Sequence, residues 1–293
     1  MDAMMKNPKI WMWISALTII ASILVIVIIK PVWGIDFVGG SLMEIEGNAD
    51  DARKVQDGIS QTLNIEATAQ GTRDNTIIIR TPALDDDTHK SVIDYLTKES
   101  LMKGEERSFE SIGPTIGQEL QRKSTYAIVI VLIVMIIYLA YTFRNMGGFI
   151  APWKLGVAAI YALVHDLLLV TACFVVFGKI WGTSIDTLFV TAQLAIFGYS
   201  VNDTIVIFDR LRWEHLASKS KGMIEVLDRA LKVTLGRSLN ISFCILLTLI
   251  AVLIFGGSSI RWFIVALTIG TVTGVYSSLF VAPPLLYYLA KRR

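Results

Sequence analysis

The chain of 293 residues is 54% hydrophobic and only 18% charged, with a mean hydropathy of +0.58. This composition excludes an ordinary soluble enzyme or binding protein and predicts a membrane protein. The net charge is only +2, and the two cysteines and three histidines are too scattered to predict a disulfide framework, a metal site or a cofactor, so none of these is expected, and neither is a nucleic-acid partner.

Six apolar stretches are long enough to cross a bilayer, because a helix needs about 20 apolar residues to span a hydrocarbon core of about 30 Å. The last stretch is long enough to kink near Pro283 and Pro284. The first stretch has no small-residue cleavage site after it, which favours an anchor over a signal peptide. The six predicted spans cover residues 10–29, 125–143, 155–177, 187–208, 239–255 and 262–289.

Basic residues are concentrated on one side of the predicted membrane. Fourteen lysines and arginines lie on that side, whereas the short loops on the other side contain only Lys179 and Arg261. Short basic loops stay in the cytoplasm, so both termini are predicted to be cytoplasmic. The predicted domains are a cytoplasmic N-terminus with the first transmembrane helix (1–29), an extracytoplasmic domain (30–123), and transmembrane helices 2 to 6 with a basic cytoplasmic loop at 210–237 (124–293).

The extracytoplasmic segment has the pattern of a small α+β domain. Apolar residues at helical spacing alternate with short β-branched runs. The resulting order βαββαβ is typical of a ferredoxin-like domain, which implies no chemistry by itself. The predicted elements are a strand at 41–46, a helix at 49–63, strands at 65–70 and 76–80, a helix at 85–101 and a strand at 107–112. The predicted fold class is therefore a membrane all-α bundle of six transmembrane helices with a small α+β (ferredoxin-like) extracytoplasmic domain.

Two segments rich in glycine flank this domain, one directly after the first span and one before the second. Glycine permits backbone conformations that other residues avoid, so the segments predict a pair of hinges that let the domain swing relative to the bilayer. The predicted hinge residues are Gly34, Asp36, Gly39, Gly40, Gly113, Pro114 and Gly117.

Two aspartates fall inside predicted spans, Asp166 in the third and Asp203 in the inner half of the fourth. An ionised aspartate at mid-membrane costs at least about 2.5 kcal/mol, so such residues usually mark ion or proton pathways. Tyr199 and Ser200 precede Asp203 on the same helix face, and Arg237 enters the fifth span from the same side, where we expect it to pair with Asp203. Asp166 fits a packing role equally well. The predicted proton pathway comprises Asp203, Arg237, Asp166, Asn202, Tyr199 and Ser200.

Charges at the inner membrane interface predict a different role. Asp209 lies beside Arg210 and Arg212, which predicts charge pairing rather than transport. The basic, amphipathic segment 221–235 predicts a helix on the cytoplasmic membrane surface.

The motifs in this order resemble those of the SecF family of the bacterial protein-export machinery. The resemblance covers nearly the whole chain, and the fourth-span motif is its most specific part. The motifs that carry it are residues 34–40, 113–120, 165–166, 198–210, 237–242 and 255–257.

The resemblance implies an accessory translocase subunit of the bacterial inner membrane, related to proton-driven exporters built from two six-helix halves. It implies SecD as the other half, the SecYEG channel and YajC as further partners, and unfolded preproteins as substrates. Protons from the proton motive force are the coupling ion, with Asp203 similar to the family's proton-pathway carboxylate and Arg237 to its partner arginine.

Two other functions are open from the residues. Asp166 and Asp203 could share a proton as an intramembrane aspartyl protease dyad does, although Asp203 lacks the usual Gly-x-Gly-Asp surroundings. Half of a small-molecule exporter is the second alternative, and the small size of segment 30–123 counts against it.

Overall fold

The computed structural model describes residues 7–72, 75–144, 150–217, 222–257 and 260–291. Parts of the predicted termini and of the predicted loop 210–237 lie outside these residues. The chain divides into two compact units. The outer unit contains residues 31–126 and 174–187, and the bundle unit contains residues 1–30, 127–173 and 188–293.

The outer unit is built on a four-stranded antiparallel sheet in the order β2, β3, β1, β4. Its two main helices connect the strands, so the elements follow the predicted order. A short helix, α2, precedes the first strand. The elements are α2 (Ile35–Val38), β1 (Gly40–Glu46), α3 (Ala52–Thr62), β2 (Thr68–Gly71), β3 (Thr76–Thr81), α4 (Asp86–Lys98) and β4 (Glu106–Ile112).

One face of the sheet forms the core of the outer unit. Strand side chains alternate between the two faces of a sheet, and on β1 the apolar Met43 and Ile45 point to the same side and are fully buried. Both helices place their apolar residues against this side. The fully buried core residues are Met43, Ile45, Val55, Ile59, Ile77, Ile79, Val92 and Leu96.

Among the described residues, six helical segments are long and apolar enough to cross a membrane. The sixth is formed by two helices, because the chain breaks at Val281 where Pro283 and Pro284 supply no backbone N–H for helical hydrogen bonds. This break confirms the predicted kink. The helices are α1 (Pro8–Ile29), α5 (Pro114–Thr142), α6 (Pro152–Trp181), α7 (Thr187–Ala217), α8 (Met223–Phe255), α9 (Arg261–Phe280) and α10 (Ala282–Lys291).

Burial separates these helices into two groups. The apolar stretches of α6 and α7 are 44% buried and that of α9 with α10 is 56% buried, whereas those of α1, α5 and α8 are between 6% and 11% buried. The central group therefore makes most of the packing inside the bundle unit. Gly270 brings α9 close to α7, because a Cβ atom at this position would collide with the Ile196 side chain.

The predicted surface helix at 221–235 is wrong in its boundaries. Residues 223–255 form one continuous helix, α8, so the amphipathic segment extends the fifth span. Its apolar positions Val226, Leu227, Ala230 and Leu231 are buried against the bundle core rather than against a membrane surface.

Candidate functional site

Asp203 lies on α7 as a half-buried residue held by two serine hydroxyls. Ser238 on α8 donates to one carboxylate oxygen at 2.7 Å, and Ser278 on α9 donates to the other at 3.0 Å. Thr187 begins the helix 16 residues earlier, which places Asp203 about 24 Å along its axis. Hydrogen bonds from two neutral groups therefore join this carboxyl group of α7 to α8 and α9.

A narrow cleft of about 30 Å³ adjoins Asp203. A cavity needs roughly 10–15 Å³ to hold a water molecule, so this cleft has room for one beside the carboxyl group. The cleft is lined by apolar side chains and by polar groups that can bind water. Its lining residues are Tyr199, Ser200, Asn202, Asp203, Ile241, Ser242, Ile245, Thr271, Gly274 and Val275.

The partners predicted for Asp203 do not contact it. The Arg237 side chain is exposed, and among the described residues no ion pair joins it to Asp203. Tyr199 and Asn202 are also exposed, although both line the cleft. Ser200 is buried but points to Asp166 instead. The structure thus brings Asp203, Tyr199, Ser200 and Asn202 to one cleft and leaves Arg237 outside the hydrogen-bonded site.

Asp166 is fully buried and has three hydrogen-bonding partners, one more than Asp203. Ser200 on α7 and Ser277 on α9 each donate to its Oδ2 atom at 2.7 Å. Its Oδ1 atom lies 3.1 Å from Nδ1 of His165, the preceding residue. The groups around Asp166 can therefore stabilise either a negative charge or a proton, and its place in the predicted proton pathway stays a prediction.

Two adjacent serines of α9 serve the two aspartates separately, since Ser277 bonds Asp166 and Ser278 bonds Asp203. The sequence analysis missed Ser238, Ser277 and Ser278. The signal for the α9 pair was small: two consecutive hydroxyls in an apolar span, next to the closely packed Gly274.

The geometry also argues against the aspartyl protease alternative. An aspartic dyad needs two carboxyl groups in contact so that they share one proton. Asp166 and Asp203 each bond to their own set of hydroxyls, and among the described residues no hydrogen bond joins them.

At the C-terminal end of α7 the predicted charge pairing involves a different acid. Arg210 donates to Glu214 at 2.6 Å, and Nε of Arg229 on α8 lies 3.8 Å from the other oxygen of Glu214. Asp209 is exposed, and within the described chain neither Arg210 nor Arg212 forms an ion pair with it. The carboxylate that joins α7 to α8 here is the buried Glu214, one turn further along.

The predicted hinge segments pack against each other within the outer unit. A Cβ atom at Gly117, on α5, would come within 2.9 Å of the Gly39 backbone nitrogen. One at Gly39 would come within 2.9 Å of Pro114, which begins α5 directly after Gly113. Gly39 and Gly40 both have positive φ angles, 75° and 127°, which favour glycine. Their role as hinges stays a prediction.

The first of these segments is also fastened to the connection between α6 and α7. The N–H of Gly34 donates to the Ile185 carbonyl and the N–H of Ile185 donates to the Val32 carbonyl, both at 2.8 Å. Asp36 accepts hydrogen bonds from the backbone N–H of Thr187, at 2.8 Å, and from the Thr187 hydroxyl. Asp36 thus satisfies the first free N–H group of α7, the helix that carries Asp203.

Comparisons with known proteins agree with one another. A family model described as protein export membrane protein SecD/SecF, C-terminal, matches residues 92–292. The protein translocase subunit SecF of Thermobaculum terrenum is 35% identical over 285 residues, which cover 93% of this chain and 89% of that protein. The SecDF translocase subunit of Brucella abortus is 33% identical over 87% of this chain, but over only 33% of its own length.

A solved structure supports the same grouping. The crystal structure of SecDF from Thermus thermophilus, described as a translocon-associated membrane protein, matches with a TM-score of 0.86 and 26% identity. The match covers 98% of this chain and 38% of the SecDF chain, so this chain spans little more than a third of that larger protein. The family match and these relatives show that the chain belongs to the SecD/SecF family of protein export membrane proteins.

Proposed function

We propose that this chain is the SecF-type subunit of a Sec translocase accessory complex, which uses the proton motive force with SecD to promote preprotein translocation and release outside the membrane. The observation that carries the proposal is Asp203, a half-buried carboxyl group at membrane depth beside a cleft with room for water. Intramembrane carboxyl groups in such surroundings typically belong to ion or proton pathways.

The serines around Asp203 suit a group that gains and loses a proton. A hydroxyl can donate to an ionised carboxylate and can accept from a protonated one. Ser278 has a second acceptor in reach, the Val275 carbonyl at 3.1 Å, to which it can donate when Asp203 is protonated. The site can therefore keep its hydrogen bonds in both protonation states without a permanent cation.

The polar surface near this site supports SecD as the partner. Tyr199, Asn202, Arg237 and Asn240 are all exposed on α7 and α8, and polar side chains that face lipid at this depth are costly. Relatives named SecDF carry the region similar to this chain within a longer protein, of which it covers 33% to 38%. We propose that the SecD half covers this surface, and that the SecYEG channel and YajC are further members of the complex.

The proposed location is the bacterial inner membrane, with both termini in the cytoplasm. The greater number of lysines and arginines on one side supports this orientation. The outer unit, with its βαββαβ order, is then a ferredoxin-like domain outside the membrane, where it acts on unfolded preproteins.

The test is proton-dependent export in vesicles that contain the complex. Asp203→Asn keeps the size of the side chain and removes its ability to titrate, so export should fall to the level measured without a proton gradient. Asp209→Asn is the matched control, because it makes the same change at an exposed carboxylate on the same helix. The variant must still be recovered with SecD, and normal proton-dependent export in Asp203→Asn would overturn the proposal.

A further inference from the structure

The most deeply buried ionisable pair in the described part of the chain is His165 with Asp166, which are 1% and 0% exposed. Neither side chain takes part in the hydrogen bonds of Asp203 described above. A buried ionisable group inside a membrane protein is costly to keep unless it is paired or has a function. Each donor around this pair has few possible acceptors, so the positions of the hydrogen atoms can be worked out one donor at a time.

The Thr18 hydroxyl on α1 has two possible acceptors. It lies 2.9 Å from the Ser15 carbonyl and 3.0 Å from Nε2 of His165. A hydroxyl has one hydrogen to donate. If Thr18 donates to the Ser15 carbonyl, Nε2 must carry a hydrogen and donate to the Thr18 oxygen.

The other ring nitrogen then needs a second hydrogen. Nδ1 of His165 lies 3.1 Å from Oδ1 of Asp166. A neutral ring with hydrogen on Nε2 has a bare Nδ1, which would face a bare carboxylate oxygen. The contact is a hydrogen bond only if one more proton lies between them, on the ring or on the carboxyl group.

A second complete arrangement contains one proton fewer. If the Thr18 hydroxyl turns and donates to Nε2, the ring carries its single hydrogen on Nδ1 and donates it to the ionised Asp166. Ser200 and Ser277 donate to Oδ2 of that carboxylate. Every group in the site is again satisfied.

We propose that His165 and Asp166 form a second proton-binding site, in which rotation of the Thr18 hydroxyl accompanies binding. The incoming proton is held on Nε2, the Thr18 hydrogen turns from Nε2 to the Ser15 carbonyl, and the Nδ1 hydrogen is shared with Oδ1. No bond other than N–H or O–H changes. The loaded pair is neutral overall, and the empty pair carries one negative charge.

The surroundings favour such a site over a fixed ion pair. The residues that face the pair from α1, α6, α7 and α9 are hydroxyl-bearing, and within the described chain no lysine or arginine bonds to it. A fixed cation would hold Asp166 ionised, whereas hydroxyls serve either state. The facing residues are Ser15 and Thr18 on α1, Tyr161 on α6, Ser200 on α7, and Tyr276 and Ser277 on α9.

As an element of proton coupling this site rests on the proposed function, but proton binding itself is measured independently of export. The full-length protein, labelled with ¹⁵N-histidine, is placed in lipid nanodiscs and its ring nitrogens are observed by NMR from mildly alkaline to mildly acidic pH. The sequence has only three histidines, so single His→Gln variants assign the signals. We expect Nε2 of His165 to change from a bare to a hydrogen-bearing nitrogen on acidification.

Variants distinguish proton sharing from ordinary histidine titration. Asp166→Asn removes the carboxylate that balances the added charge, so Nε2 should stay bare over the same pH range. Thr268→Val is the matched control, because within the described part of the chain this hydroxyl bonds only to the carbonyl of Ile264 in its own helix, and it should leave the titration unchanged.

Two outcomes overturn the proposal. One is an Nε2 signal in the unmodified protein that stays the same across the pH range, a result that does not depend on any variant folding. The other is an unchanged titration in Asp166→Asn. Neither outcome would change the interpretation of the export test of Asp203→Asn. Conversely, normal export in Asp203→Asn would not contradict a measured titration of His165.

Discussion

Among the described residues of this bundle, serine hydroxyls donate hydrogen bonds to both the buried Asp166 and the half-buried Asp203, and no lysine or arginine pairs with either. A buried ion pair holds a carboxylate permanently ionised and is strongly disrupted when one partner is lost. A serine or threonine hydroxyl can donate or accept, and it can also turn to a backbone carbonyl of its own helix. Ser277 and Ser278 both have such a carbonyl in reach, those of Gly274 and Val275 at 3.1 Å. Serine and threonine neighbours therefore suit aspartates whose protonation changes during a transport cycle.

Removal of one hydroxyl beside Asp203 should weaken proton coupling without removing the titrating group. A hydrogen bond to a charged group contributes about 1.5–3 kcal/mol, so Ser238→Ala or Ser278→Ala should slow proton-dependent export roughly tenfold or more. The measurement is the initial export rate in vesicles at a fixed proton gradient. Ser242→Ala is the control, since Ser242 lines the same cleft on α8 but makes no hydrogen bond to Asp203. Equal rates in Ser278→Ala and Ser242→Ala would contradict this reading of the site.

The sequence predicted that Asp203 lies deep in the membrane but not which side chains bond to it. The depth of a residue in the membrane can be predicted by counting residues along its apolar span. Partners depend on how each helix is rotated about its axis, which the weak periodicity of an apolar span leaves open. Ser200, three residues before Asp203, was predicted to lie on the same helix face, but its hydroxyl bonds to Asp166 on α6. Ser277 and Ser278 follow each other directly, yet they serve different carboxylates.

At the scale of elements, one glutamate and two arginines join the C-terminal end of α7 to the N-terminal part of α8. The Glu214 side chain is 8% exposed, whereas Arg210 and Arg229 are 41% and 47% exposed. Water therefore screens the two cations, and their interaction is weaker than that of a fully buried triad. The arrangement holds α8 to α7 at the point where the sequence predicted a loop and a separate surface helix.

Neutralisation of Glu214 should loosen this connection. We expect Glu214→Gln to lower the free energy of unfolding of the detergent-solubilised protein by about 1–2 kcal/mol, because two cations lose the negative charge that faces them. Thermal unfolding followed by an intrinsic tryptophan signal measures the effect. Asp209→Asn removes an exposed acid from the same helix and should change the midpoint little; a comparable shift in both variants would refute the assignment.

The outer unit contains a pH-dependent helix cap at Asp85, the residue before α4. Asp85 accepts a hydrogen bond from the Thr88 backbone N–H at 2.9 Å, and hydrogen bonding to Thr88 lowers the pKa of the Asp85 carboxyl. A lowered pKa means that the cap stabilises α4 at neutral pH and that this contribution is lost as the pH falls through the lowered value.

Asp85→Ala should therefore increase amide hydrogen exchange in the first turn of α4 at neutral pH, with the difference from the unmodified protein vanishing in acid. Exchange rates corrected for the intrinsic effect of pH, measured by mass spectrometry on the full chain, give the comparison. Asp87→Ala lies in the same turn, and its side chain makes no cap bond to Thr88, so it should have a smaller effect. A difference that persists unchanged in acid would show that the carboxylate is not the cause.

At the scale of the whole molecule, the units do not follow the chain order that the sequence suggested. The predicted outer domain was residues 30–123, but residues 174–187 between α6 and α7 belong to the same unit. Three groups of the domain bond to this connection: Gly34 donates to the Ile185 carbonyl, Asp36 accepts from Thr187, and Arg80 donates to the Gly182 carbonyl. Sequence patterns could not reveal the connection, because the residues involved are up to 151 positions apart.

Asp36 occupies the position where the outer unit meets the start of α7, the helix that also carries Asp203. If protonation of Asp203 acts on the outer unit through α7, release of this cap should uncouple the two. We expect Asp36→Ala to reduce proton-dependent export while ¹⁵N or mass-spectrometric exchange shows faster opening of the Thr187 amide. Loss of an N-terminal cap costs about 0.5–2 kcal/mol, which is small enough for the protein to remain inserted.

Asp36→Asn is the control variant, because asparagine retains an acceptor oxygen and caps a helix about as well as aspartate. It should restore the protection of the Thr187 amide and most of the export, since the coupling depends on the hydrogen bond and not on the charge. If Asp36→Asn is as defective as Asp36→Ala although the amide is protected again, the negative charge itself is required and the mechanical link is wrong. If neither variant alters export, force reaches the outer unit by another route, such as α1, which leads into it at Lys30.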